Sequence, residues 1–153
     1  MKPGRALDAL VAEKIFGWVW IRSLAHYPPP RGREWQRELC PGDKVPKPSE
    51  AGDWLPAHGD EPANETTQIW EGSIPRYSTD IAAAWQVLEH LKTLGDYPEE
   101  VLMLSWNPRS DWWVHSERYP RSIEVNAETA PLAICLAALA AVGVETEAAH
   151  ALG

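Results

Sequence analysis

Cysteine is scarce in this chain: Cys40 and Cys135 are the two among 153 residues. A disulfide framework is therefore excluded as the basis of the fold, and the usage fits a reducing compartment. Basic residues are in the minority, with fourteen Lys plus Arg against twenty-two Asp plus Glu and a formal charge of −8. Duplex DNA is a poor partner for such a chain, because affinity there comes mainly from neutralising phosphates. No apolar run reaches the roughly eighteen residues that a membrane span needs. The first twenty residues carry Lys2, Arg5, Asp8, Glu13 and Lys14, and so lack the continuous apolar core of a secretion signal. Internal repeats are absent, which excludes a solenoid. Phosphate-loop, dinucleotide-loop and nucleophile-elbow motifs are missing as well. The histidines, His26, His58, His90, His115 and His150, show no ligand-like spacing, and neither cysteine has a partner at CxxC distance. No metal site and no cofactor is expected.

What remains is the composition of a folded protein, 44% hydrophobic and 24% charged. Its length suits one domain by the usual range of roughly 100–200 residues, here taken as 1–153. Residues 6–17 place Leu7, Leu10, Val11 and Ile15 at helical spacing, with Trp18 extending the stripe and Gly17 as stop signal. Trp18–Leu24 alternates with period two and predicts a strand. Residues 26–68 are rich in chain breakers, with PPPRGR, CPGDKVPKP and AHGDEPAN, and read as a long irregular insertion; Cys40 falls in it as a loop residue. So long a structureless stretch is unusual in a compact domain, which points to a functional flap. Its charge is uneven: five bases and three acids between His26 and Pro48, then six acids and no base between Glu50 and Glu71.

Gln68–Gly72 predicts a short strand. Ser78, Thr79 and Asp80 are good caps for a helix whose stripe would be Ile81, Ala84, Trp85, Leu88 and Leu91, closed by Gly95. Three strands follow at Val101–Trp106, Trp112–Ser116 and Ser122–Val125, joined across Asn107-Pro108 and Tyr119-Pro120. The last helix is apolar nearly all round, with Thr129 as cap, Pro131 in the first turn and Gly143 beyond the end, so it should pack on more than one side. The tail reads as continued helix or a frayed end. The expected class is α/β (α+β), an α-β-α layered sandwich with three helices on a mostly antiparallel sheet of four to five strands.

Three phrases carry a family likeness: LDALVAEKIFGW, IPRYSTDIAAAWQVLE and APLAICLAALAAVG. Together, over positions 7–143, they make the chain resemble the phage ABA sandwich domain family, small proteins of tailed-phage and prophage genomes. NinX-type proteins look like more distant relatives. The resemblance implies a layered α-β-α fold, a phage origin and therefore the host cytoplasm; it implies no reaction. The chain departs from the short family form in its 26–68 insertion.

Two features are candidates for function. Arg76, Tyr77, Ser78 and Thr79 precede a helix N-terminus, where free amides and the positive end of the helix dipole suit a phosphate. The structural alternative is a plain helix cap with a packed tyrosine. Nine tryptophans are present. Trp35 and Trp54 in the insertion, and Trp112 next to Trp113 on a strand, can stack on a base or anchor a partner. The alternative is core packing, with Trp85 and Trp106 the positions most expected in the core. Catalysis needs convergent groups, and none is displayed: Glu99-Glu100 and Glu145/Glu147 read as solvated charge, and neighbours such as His115 and Ser116 point apart on a strand. The expected function is a non-enzymatic phage accessory protein acting by binding. In the phage setting it would sequester a small anionic nucleotide signal or block a host defence protein. An enzyme acting on a small phosphorylated compound through Arg76, Ser78 and His58 stays open. So does a structural, self-associating phage component, a homo-oligomer without ligand.

Overall fold

The computed structural model of the chain describes residues 1–26, 28–30, 32–45, 54–56, 74–93, 103–106, 111–116, 122–146 and 149–152. These form three α-helices, seven strands and a 3-10 turn at Gly42–Lys44. The chain divides into two compact units, Met1–Phe16 with Pro75–Gly153, and Gly17–Ile74.

The larger unit holds α1 (Arg5–Lys14), α2 (Ile81–Thr93), α3 (Ala130–Ala141) and the strands β4 (Met103–Trp106), β5 (Trp112–Ser116), β6 (Ser122–Ala127) and β7 (Ala149–Leu152). Its sheet is antiparallel in the order β4-β5-β6-β7. The smaller unit holds β1 (Val19–His26), β2 (Arg33–Cys40) and β3 (Trp54–Pro56), an antiparallel sheet with β1 in the centre.

The α+β class, the three helices and the antiparallel pairing agree with expectation, and the four-stranded sheet fits the expected four to five strands loosely; among the described residues a second sheet of three strands adds to it. The stretch 26–68 was expected without regular structure, yet it carries β2 and β3, and Cys40 ends a strand instead of lying in a loop. Breaker residues mark where strands stop; they do not reveal that the short segments between them pair with a distant strand. The tail forms β7 beside β6 in place of helix or frayed end, because Ala149–Leu152 find backbone partners from Ser122 to Val125. The strand expected at Gln68–Gly72, the stop at Gly95 and the two Pro-containing connections lie outside the described residues.

α3 is the core of its unit. Every residue from Leu132 to Leu139 is buried, since the helix packs against α1, α2, β5, β6 and β7. Its ends follow ordinary capping chemistry. The Thr129 hydroxyl accepts from the Leu132 amide at 3.4 Å, a proline sits in the first turn, and Gly143 takes a left-handed φ of 83° just beyond the end. The sheet face carrying Val114, Ile123, Val125 and Ala127 is buried.

α2 departs from the expected stripe. Its buried residues are Ala83, Ala84, Val87 and Leu91, whereas Ile81 is 50% and Trp85 52% exposed. The stripe is rotated by about one residue. Small side chains let two helix axes approach, and Ala83 and Ala84 on α2, which packs on α3 with its own buried Ala133, Ala137 and Ala138, supply them. An indole does not fit such an approach. Trp106, also expected in the core, is 60% exposed, at the end of a strand that lies at the edge of its sheet among the described residues.

One buried polar cluster ties this unit together. Asp8, on the first turn of α1, is 1% exposed, and Ser78, 70 positions away, is fully buried. The Asp8 Oδ1 accepts from the Ser78 amide at 2.8 Å and from the Ser78 hydroxyl at 2.7 Å. The Ser78 hydroxyl accepts in turn from the Gly4 amide at 2.9 Å. Arg5 places a guanidinium nitrogen 3.4 Å from the other Asp8 oxygen. Next to Ser78, the Tyr77 ring stacks on Phe16 at 5.0 Å, and Phe16 meets His90 at 4.7 Å. Burial, and then the Asp8 charge, push the Tyr77 hydroxyl and the Cys135 thiol each up to about 12.

Two outcomes follow from this cluster. Asp8→Ala leaves the Ser78 amide and hydroxyl without their acceptor in a dry site, a loss of about 2–4 kcal/mol. Differential scanning calorimetry should show a drop of roughly 5–15 °C in melting temperature; a change under about 2 °C would mean the carboxylate is dispensable. Tyr77 and Cys135 are neutral when protonated, and their folded values lie above the ordinary 10.0 and 9.0. The unfolded chain therefore loses these protons first, so stability is intact below pH 9 and declines as the pH rises toward about 12. Melting temperature followed from pH 8 upward should be level and then fall through that window; a level profile past pH 11 contradicts the burial.

Candidate functional site

The turn that leads into α2 is closed by backbone bonds, with the Thr79 and Asp80 amides both donating to the Arg76 carbonyl at 3.1 and 2.8 Å. Asp80 then caps the helix: its carboxylate accepts from the Ala82 amide at 2.9 Å, and its carbonyl accepts the first helical bond from Ala84. The four residues singled out from the sequence divide by burial. Tyr77 and Ser78 are buried, stacked on Phe16 and bonded to Asp8 and Gly4 respectively. Arg76 and Thr79 are exposed. Two carboxylates of the chain itself, Asp8 and Asp80, thus accept from the amides of Ser78 and Ala82 where an external phosphate was envisaged.

Exposed residues continue from this turn along the outer face of α2. Ile81 and Trp85 lie four residues apart on one helix face, and Gln86 and Glu89 are exposed beside them. Arg76, Thr79 and Asp80, in the turn just before the helix, are exposed as well.

The tryptophans named from the sequence sit elsewhere. Trp35 on β2 pairs with Leu24, and Trp54 on β3 pairs with Ser23, so their register positions lie on the two sides of β1. Trp112 is half-buried on β5, with Trp106 and Ala127 as its register partners. Arg76, Tyr77, Ser78, Thr79 and Trp112 belong to the larger unit, Trp35 and Trp54 to the smaller one. His58 lies outside the described residues.

A second aromatic cluster was missed in the sequence. On the sheet face opposite Val114, Trp113 stacks on His115 at 4.9 Å and 11° between planes, and its indole N–H donates to Glu124 at 3.1 Å. The signal was available: Trp113 and His115 are two apart on a strand and so share a face, with Glu124 directly across from His115. Among the described residues no group of three or more His, Cys, Asp or Glu could hold a metal ion, and no helix is long and apolar enough to cross a membrane. Cys135 is buried with its thiol pushed up to about 12, and burial followed by Glu38 and Asp43 raises Cys40. Neither cysteine has the depressed pKa of a reactive nucleophile.

The crystal structure of a phage protein from Bacillus cereus ATCC 14579 is similar to this chain, with a TM-score of 0.51 and 28% sequence identity over 96% of this chain and 93% of that one. Among curated proteins none matches. Residues 9–139 match the Phage ABA sandwich domain, a span that takes in the Asp8-anchored helix from its second turn, the capped turn before α2 and nearly all of α3. The chain belongs to the phage ABA sandwich domain family.

Proposed function

We propose that this chain is a non-enzymatic phage accessory protein that acts by binding in the host cytoplasm, and that its concrete role is counter-defence, by blocking a host immune protein. One observation carries the proposal. The outer face of α2 holds Ile81 and Trp85 half in water on a regular helix, while the neighbouring Ser78 hydroxyl, the chemical group best suited to a reaction, is bonded internally. Large apolar side chains left exposed on a rigid element are the usual anchors of protein interfaces, and tryptophan and arginine dominate such anchors. Family membership and the likeness to a phage protein from Bacillus cereus support the phage setting.

Blocking a protein fits this surface better than sequestering a nucleotide. A nucleotide needs convergent donors, and here the Ser78 and Ala82 amides already donate to Asp8 and Asp80. Production of the chain in bacterial hosts that carry single, known defence systems, followed by phage plating, tests the proposal. Plating efficiency should rise at least about tenfold with one such system, and Trp85→Ala should abolish the rise, because truncating an anchor costs on the order of 2 kcal/mol or more of binding. The same variant should melt within about 2 °C of the parent, as expected for a residue half in water. Full protection by Trp85→Ala would remove this face from the mechanism. Quenching of tryptophan fluorescence by a cyclic or ADP-ribose-derived nucleotide recovered intact would replace blocking with sequestration; recovery of an altered nucleotide would make the protein an enzyme.

A further inference from the structure

We infer that β4 is a self-pairing edge at which two copies of this chain join their four-stranded sheets into one. β4 lies at the end of the order β4-β5-β6-β7, and among the described residues it pairs with β5 alone. An edge strand presents a row of backbone donors and acceptors to any second strand, and proteins commonly guard it with lysine, proline or inward charge. Met103, Leu104, Ser105 and Trp106 include none of these. Met103, Ser105 and Trp106 are exposed, and Trp106 is the most exposed of the large apolar side chains described.

A second copy fits this edge for two reasons. The first is charge. Each copy carries −8, so most ways of docking two copies set acids against acids; β4 is neutral throughout and puts no charge opposite its own image. The second is register. Two identical antiparallel strands pair about a two-fold axis normal to the sheet, which keeps each residue on its own face. Centring on Ser105 sets Leu104 against Trp106 of the partner subunit, and Trp106 against the partner's Leu104. Both pairs continue the face that holds Val114 and Trp112 in register. Centring on Leu104 instead sets Met103 against the partner's Ser105 and leaves Trp106 beyond the partner's strand. The apolar pairing selects Ser105 as the centre.

Sedimentation velocity of the full chain over a concentration series tests this, with Ser105 as the probe because it is exposed and its substitution leaves the core intact. The parent chain should reach twice the monomer mass. Ser105→Asp and Ser105→Lys each set like charges against themselves, and each should weaken the dimer at least about tenfold. An equimolar mixture of the two variants should restore it. Trp85→Ala, on α2, should dimerise as the parent does, which separates this interface from the partner-binding face. A parent chain that stays monomeric at about 100 μM overturns the inference, as do two Ser105 variants that dimerise undiminished or a mixture that fails to recover.

Discussion

A single carboxylate holds the larger unit in register. Asp8 leaves α1 and enters a dry site, where it accepts both the amide and the hydroxyl of a serine 70 residues on. Burying a charge is costly unless every lone pair finds a donor. Once satisfied, such a site ties its two segments to one arrangement. The start of α1 and the turn before α2 are thereby joined, and the Tyr77–Phe16–His90 rings join the end of α1 to α2 itself. α3, buried from Leu132 to Leu139, packs against both α1 and α2.

The same cluster decides what the turn before α2 can do. A helix N-terminus invites an anion, and here the chain supplies its own: Asp80 as the cap and Asp8 beneath it. The groups facing water here include Arg76, Thr79, Asp80, Ile81, Trp85, Gln86 and Glu89. The Tyr77 hydroxyl and the Cys135 thiol lie in the interior, where burial keeps both protonated far above neutral pH.

Local chemistry was legible in the sequence where it is local in space. Thr129, Pro131 and Gly143 bound α3 as their types dictate, Trp112–Ser116 is a strand from end to end, and Asp80 is a cap. Family phrases placed the fold class. Hidden from the sequence were the facts that depend on partners far along the chain. Asp8 looks like an ordinary acid in the first turn of an amphipathic helix until Ser78 arrives beside it. Trp85 fits a helical stripe by spacing, but two alanines set the packing face one residue away. β2 and β3 are strands only because β1 runs between them. The candidate site was half legible: the segment 76–80 was identified, while which of its side chains face inward, and that Trp85 rather than a loop indole extends the surface, needed the packing of α2 on α3.

The most direct measurement of the Asp8 constraint is native-state hydrogen exchange at the Ser78 amide. If that N–H is bound to a buried carboxylate, it should exchange only when the whole unit unfolds, with the protection of the α3 core amides and far above that of its exposed neighbour Thr79. Exchange of Ser78 as fast as that of an open turn would contradict it, and with it the idea that the start of α1 and the approach to α2 are held by one buried charge.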